Sequence, residues 1–205
     1  RTLMLSNYLK EEFKDAFING AMMDLYNKSL FFENLAIQSE LWVRAYRPAE
    51  PLHYDSILNI NDIPAHVFSN PNEKTDTAWW FHCFDMSLVR DKGLPFPCFF
   101  RGDDVEWSWR HFGKHHISMN GICLWHPPFV WRVGKPAEYY YLPRNMFFIN
   151  SLNTENFKQK FSKYFMNKLI YLLKTYDYVS LKLFKRAMEE TNIPNSYYVS
   201  YQILF

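Results

Sequence analysis

The segment that most constrains this chain is Arg101-Gly102-Asp103-Asp104-Val105-Glu106-Trp107-Ser108-Trp109-Arg110. It predicts a helix from Asp103 to Phe112 that Gly113 closes, with Val105, Trp109 and Phe112 at i, i+4 and i+7 on the inward face. Ile117 to Trp125 follows as an apolar strand, and His126 ends it ahead of the rigid pair Pro127-Pro128. Upstream, Trp79 to Phe84 reads as a strand, and Asp85 to Lys92 as a short helix capped by Asp85 and stopped by Gly93. Strands interleaved with helices in this way place the chain in the α/β class.

Three carboxylates share the first turn of the predicted 103–112 helix. A capping box accounts for Asp103 and Glu106, which satisfy first-turn N–H groups and suit the helix dipole. It leaves Asp104 unexplained. His126 stands at the end of a strand, where ligands of α/β folds bind. Imidazole and carboxylates together are ordinary ligands for Mn²⁺, and Mg²⁺ accepts the same set with more oxygen donors. One histidine cannot hold a metal alone, so further ligands have to come from elsewhere. Trp79 and Trp80 on a strand direct their rings to opposite faces, one into the core and one as a platform for a sugar ring. His111, His115 and His116 straddle Gly113 without metal-ligand spacing and are assigned to the surface.

Aromatic residues make up 20% of the 205-residue chain, more than a core alone requires, so some rings are expected to line a ligand surface. A formal net charge of +2 is too small to argue for a nucleic-acid partner, which needs a concentrated basic face, and none is expected. Cys83, Cys98 and Cys123 form neither a disulfide framework nor a zinc pair, and a cytoplasmic location is expected. No apolar run is long enough to span a membrane. The opening from Arg1 reads like the interior of a longer protein.

Leu9, Phe13 and Phe17 predict a short helix over 9–17 that Asn19-Gly20 terminates, followed by a buried strand over Ala21–Leu25. From Leu30 to Ser69, Pro48, Pro51 and Pro64 break the pattern into short strands and a long loop. Beyond Asn153, Phe157, Phe161, Phe165 and Leu169 recur every four residues, and a second helix runs from Tyr178 to Glu190. Between Glu155 and Glu190 eight basic residues face four acidic ones. That region is read either as a solvated helical pair or as a peripheral contact, over 155–190, with an anionic membrane at its cytoplasmic face.

The order of the blocks Asn19-Gly20-Ala21-Met22-Met23-Asp24-Leu25, Thr77-Ala78-Trp79-Trp80-Phe81, Gly93-Leu94-Pro95-Phe96-Pro97, Arg101-Gly102-Asp103-Asp104-Val105-Glu106, Trp125-His126 and Tyr141-Leu142-Pro143-Arg144-Asn145 resembles family two glycosyltransferases of the galactofuranosyltransferase-like branch. The likeness covers about residues 15 to 150. It implies that residues 1–150 are the acceptor and metal side of a GT-A domain, with 151–205 as a C-terminal helical extension. It further implies an inverting, metal-dependent transfer from a nucleotide sugar, with UDP-galactofuranose the named donor, to a surface-glycan acceptor that can be lipid-linked. By the same resemblance Asp104 is the general base, Asp103 and Glu106 hold acceptor hydroxyls, and His126 ligates Mn²⁺ or Mg²⁺. Trp79, Trp80 and Phe129 would stack on acceptor sugars. The family's Asp-x-Asp should precede Asn19, and nothing from Arg1 to Phe17 supplies it. The nucleotide-binding half is therefore expected to be missing, and these residues alone are expected not to hold a nucleotide sugar tightly. Two rivals are a non-catalytic carbohydrate-binding module that uses the aromatic surface and a glycoside hydrolase; carboxylates crowded on one turn suit the hydrolase geometry poorly.

Overall fold

The structure is a computed structural model that describes residues 16–45, 52–53, 66–68, 74–76, 78–127 and 134–191. The chain is α/β, and it divides into two compact units. The first draws on Arg1–Ser39, Val43–Lys92 and Ser108–Arg132, and the second on Glu40–Trp42, Gly93–Trp107 and Val133–Phe205.

The main sheet of the first unit is built on β1 (Phe17–Asp24). It also contains β2 (Leu30–Glu33), β5 (Leu52–His53), β6 (His66–Phe68), β8 (His82–Cys83) and β9 (His116–His126), in the order β5-β2-β1-β9-β6 with β8 also on β1. β1 and β9 run parallel, from Phe17 opposite His116 to Asp24 opposite His126, and the register slips between Asn19 and Ala21. Every residue of β1 is buried, as expected of a central strand covered on both faces. A smaller sheet has the order β4-β3-β7, from β3 (Ala36–Ser39), β4 (Trp42–Ala45) and β7 (Thr75–Asp76). The short strands expected between Leu30 and Ser69 are thus present wherever that stretch is described.

Two local expectations are corrected. The helix over 9–17 falls outside the described residues except at its end, and there Phe17 begins β1, so Asn19-Gly20 lies inside a strand rather than stopping a helix. Pairing to β9 on one edge and to β8 on the other outweighs the four-residue spacing. Gly20 is needed for closeness: a Cβ there would lie 3.0 Å from Phe81. Likewise, the strand expected over 79–84 shrinks to His82–Cys83, and Trp79-Trp80 form a turn. The opposite-face argument for the two indoles therefore does not apply.

Helix α1 (Ser87–Lys92) starts as read, with Asp85 Oδ1 accepting the Ser87 N–H at 2.7 Å, and it stops at Gly93 with φ +78°. Lys92 Nζ donates to the carbonyl of Arg110 and Arg110 Nη1 to that of Lys92, both at 2.7 Å, so α1 is tied to the end of α2 (Asp103–Arg110). Val105 and Trp109 are buried, whereas Phe112 is 52% exposed. Helix α2 ends at Arg110, and Phe112 sits in the turn closed by Gly113 at φ +94°, outside the helical register that would have carried it inward.

The second unit contains the first turns of α2, a π-helical turn (Ala137–Tyr141), α3 (Leu142–Asn153), α4 (Phe157–Lys174) and α5 (Tyr178–Thr191). Its core joins Leu41, Met146 and Phe161, with Phe147 edge-on to Phe157 and Phe161 at 5.0 Å each. Asp177 caps α5, accepting from Ser180 N–H and Oγ–H. Among the described residues no helix is long and apolar enough to cross a membrane.

Candidate functional site

In the second unit the three carboxylates enter on a loop whose backbone is fixed from both ends. Phe99, Arg101 and Gly102 all have positive φ, at +65°, +67° and +104°. For the two non-glycine residues this left-handed conformation costs on the order of 1–2 kcal/mol each, and it persists only where neighbours over-determine it. Asn145, on α3 and fully buried, supplies that constraint: its Nδ2 donates to Phe100 O at 2.8 Å and Arg101 O at 2.6 Å, with Cys98 O at 3.3 Å. Arg144 Nη2 reaches Cys98 O as well, at 3.3 Å. Gly102 has no substitute, since a Cβ there would lie 2.8 Å from Ile149 Cδ1 at a φ that side chains avoid. Arg101 pairs with Glu138 of the π-helical turn at 3.0 Å.

The helix then opens with Gly102 O accepting the Glu106 N–H at 2.9 Å, while Asp104 Oδ1 accepts the Val105 N–H at 2.8 Å. Glu106 is buried and accepts the N–H of Phe96 at 3.2 Å, fastening the approach loop to the helix ten residues on. Asp104 keeps partial access to solvent. Burial, reinforced by the neighbouring Asp103 carboxylate, raises its pKa to about 6, against the N–H bonds of Val105 and its own residue and the Arg101 cation. Cys98, beneath the loop, is pushed well above its ordinary value by burial and by Asp103 and Glu106; it remains a protonated thiol and not a nucleophile. A carboxylate poised near neutrality, strongly positioned and still accessible, can accept a proton from a bound hydroxyl.

The other predicted residues belong to the first unit. Trp80 Nε1 donates to Gly20 O at 2.9 Å, which makes this indole a brace across β1. Trp79 is 38% exposed, its ring stacked on His82 at 6.5 Å and 19°. His126 closes β9 and is partly exposed; its Nδ1 lies 2.6 Å from Pro127 O, and because a carbonyl only accepts, Nδ1 carries the proton and Nε2 is the ring's acceptor. Imidazole ligates metals through either ring nitrogen, so this contact by itself neither marks nor excludes a ligand. Asp24, its register partner on β1, closes a turn by accepting from Tyr26 N and Asn27 N at 2.7 and 2.9 Å. No group of three His, Cys, Asp or Glu side chains able to hold a metal occurs among the described residues. Phe129 lies outside the described residues.

The surface assignment of the histidines near Gly113 is corrected for two of the three, His115 being partly exposed. His111 and His116 are buried around Phe17, whose ring lies 5.7 and 4.8 Å from theirs and 4.8 Å from that of His82. His82 and His116 are both lowered to about 3, mainly by burial and then by neighbouring imidazoles, so these two rings are neutral at pH 7. Asp103, Asp104 and Glu106 are thus brought together in one unit, and Trp79, Trp80 and His126 occur in the other. Arg101, Glu138 and Asn145 were not singled out as site residues. The signal for Asn145 was the Pro143-Arg144-Asn145 block, for Arg101 the Arg101-Gly102-Asp103-Asp104 block, and for Glu138 there was none. No protein-family model matches the chain, and no curated protein matches it.

Proposed function

We propose that this chain is the acceptor side of a GT-A glycosyltransferase that inverts the anomeric centre, with Asp104 as its general base. The observation that carries the proposal is the carboxylate of Asp104, raised to about 6 on a first turn that Gly102, Asn145 and the Arg101–Glu138 pair hold rigid. In a single displacement the acceptor hydroxyl oxygen bonds to the anomeric carbon, the bond to the nucleotide's terminal phosphate oxygen breaks, and the hydroxyl proton passes to Asp104. A base so placed contributes about 10²- to 10⁴-fold to the rate. Asp103 and Glu106 are proposed as acceptor-hydroxyl contacts, Trp79, Trp80 and Phe129 as stacking surfaces, and a nucleotide sugar such as UDP-galactofuranose as donor to a growing glycan. Mn²⁺ or Mg²⁺, with His126 as one ligand and the rest from elsewhere, would neutralise charge on the departing diphosphate.

A carbohydrate-binding role without transfer is the second reading, favoured by the exposure of Phe99 at 82% and of Trp79. The substitution Asp104→Asn separates the two. Transfer to a sugar acceptor should fall by about 10²-fold or more while acceptor affinity stays within about twofold. If, in the intact protein with its donor-binding half, the substitution leaves transfer unchanged, the catalytic assignment fails.

A further inference from the structure

Helix α4 carries Lys158, Lys160, Lys163, Lys168 and Lys174 and no carboxylate. Helix α5 differs: two of its three cations are partnered along the helix, Lys185 with Glu189 at 3.5 Å and Arg186 with Glu190 at 3.4 Å. Charges on a merely solvated helix are expected to be laced in the α5 manner. The outward side of α4 is also apolar. Phe161 and Leu172 are buried, while Met166, Ile170 and Leu173 are 49%, 44% and 48% exposed. At roughly 100° per residue those three fall in one sector about 60° wide, with Lys163 and Lys174 along one flank.

The turn into α5 that follows is exposed and apolar as well. Tyr176 is 75% exposed, and Tyr178 and Val179 are 58% and 61% exposed. The carboxylate in that turn, Asp177, is neutralised by Lys135 at 2.8 Å and hydrogen-bonded by Ser180, so it does not offset the lysines. Amphipathic tyrosines, branched aliphatic side chains and unopposed lysines are the composition that rests between water and acyl chains. Tyrosine rings sit at headgroup depth, and lysine stems lie along apolar surface while their ammonium groups meet phosphate.

We propose that the outer face of α4 and the α4–α5 turn dock into the headgroup layer of an anionic bilayer. The contact is peripheral, since no helix among the described residues is built to span. It goes beyond the transfer reaction, and its test uses no sugar, so either proposal can fail alone.

The probe is co-sedimentation of the protein with vesicles of phosphatidylcholine alone and of phosphatidylcholine with about one third phosphatidylglycerol. Partitioning onto the anionic vesicles should exceed that onto the neutral ones by about tenfold or more and collapse near 1 M salt. The variant Ile170→Ser/Leu173→Ser/Val179→Ser should lose about tenfold in partitioning, and Lys163→Gln/Lys174→Gln should flatten the salt dependence. Tyr176→Trp gives a readout that does not depend on those variants folding: its emission, taken as the difference from wild type because the chain already has seven tryptophans, should shift to the blue only with anionic vesicles. Equal partitioning onto both vesicle types, no shift at Trp in place of Tyr176, or a triple variant that is folded by circular dichroism and binds like wild type would overturn the proposal. So would self-association that the triple variant abolishes in a protein that ignores vesicles, since the face would then belong to a second copy of this chain.

Discussion

Two groups of largely desolvated ionisable side chains, one in each unit, answer that desolvation in opposite ways. Around Phe17, His82 and His116 are lowered to about 3 and lie in an aromatic shell. At the start of α2, Asp104 is raised to about 6 and remains partly accessible. Burial favours the neutral form in each case. For imidazole that means a group unable to change charge near neutral pH, which is a packing role. For the carboxylate it means a proton acceptor whose affinity lies close to the working range, which is a chemical role. The second arrangement is also the one supported by strain, with left-handed residues held open by Asn145.

The strongest way to break the contrast is to remove the support of the carboxylate turn. Gly102→Ala puts a Cβ 2.8 Å from Ile149 at φ +104° and should destabilise the second unit by about 2–4 kcal/mol, read as a lower denaturation midpoint. Wild-type stability after this change would mean that the loop is not held as described.

Next is acid. With folded values near 3 against 6.5 when unfolded, His82 and His116 contribute their full share above pH 6.5 and lose it progressively as pH falls toward 3. The loss should be on the order of 1 kcal/mol per pH unit for each group. Asp104 has the opposite sign, because protonation on passing below 6 relieves its burial. Denaturation midpoints followed from pH 7 downward should therefore fall in wild type and fall less steeply in His116→Asn. Equal slopes would remove His116 from the neutral cluster.

A smaller effect sharpens the same comparison. At pH 7 the ionised, desolvated Asp104 costs stability, so Asp104→Asn should raise it by about 1–2 kcal/mol while transfer is lost. A destabilised variant would show that the carboxylate serves structure.

Much of this was legible along the chain because local signals agreed with the tertiary outcome. Asp85 and Gly93 bound α1, Gly113 closes the turn after α2, and the apolar run after it is β9. The readings that failed did so where tertiary contacts overrode periodicity. Phe17 keeps a helical spacing with Leu9 and Phe13, yet two strands claim its backbone neighbours. Helix α3 carried no readable amphipathic stripe because its inward face uses Asn145 and Asn150, both fully buried, the latter donating to Leu41 O and Met146 O at 2.8 Å. Trp79-Trp80 resemble strand residues in an apolar run, but the Trp80 N–H is spent on Gly20 O in a turn. The carboxylates of the candidate site were visible in sequence, and the buried asparagine that positions them was visible only as part of a block.

The most direct measurement is the pH dependence of kcat/KM for sugar transfer by the intact protein, donor-binding half included, in wild type and in Asp103→Asn. Wild type should show an acid limb near pH 6, and removing the Asp103 charge should move that limb down by up to about one unit. A limb that does not move, or a rate flat from neutrality to well below pH 5, would contradict Asp104 as the base.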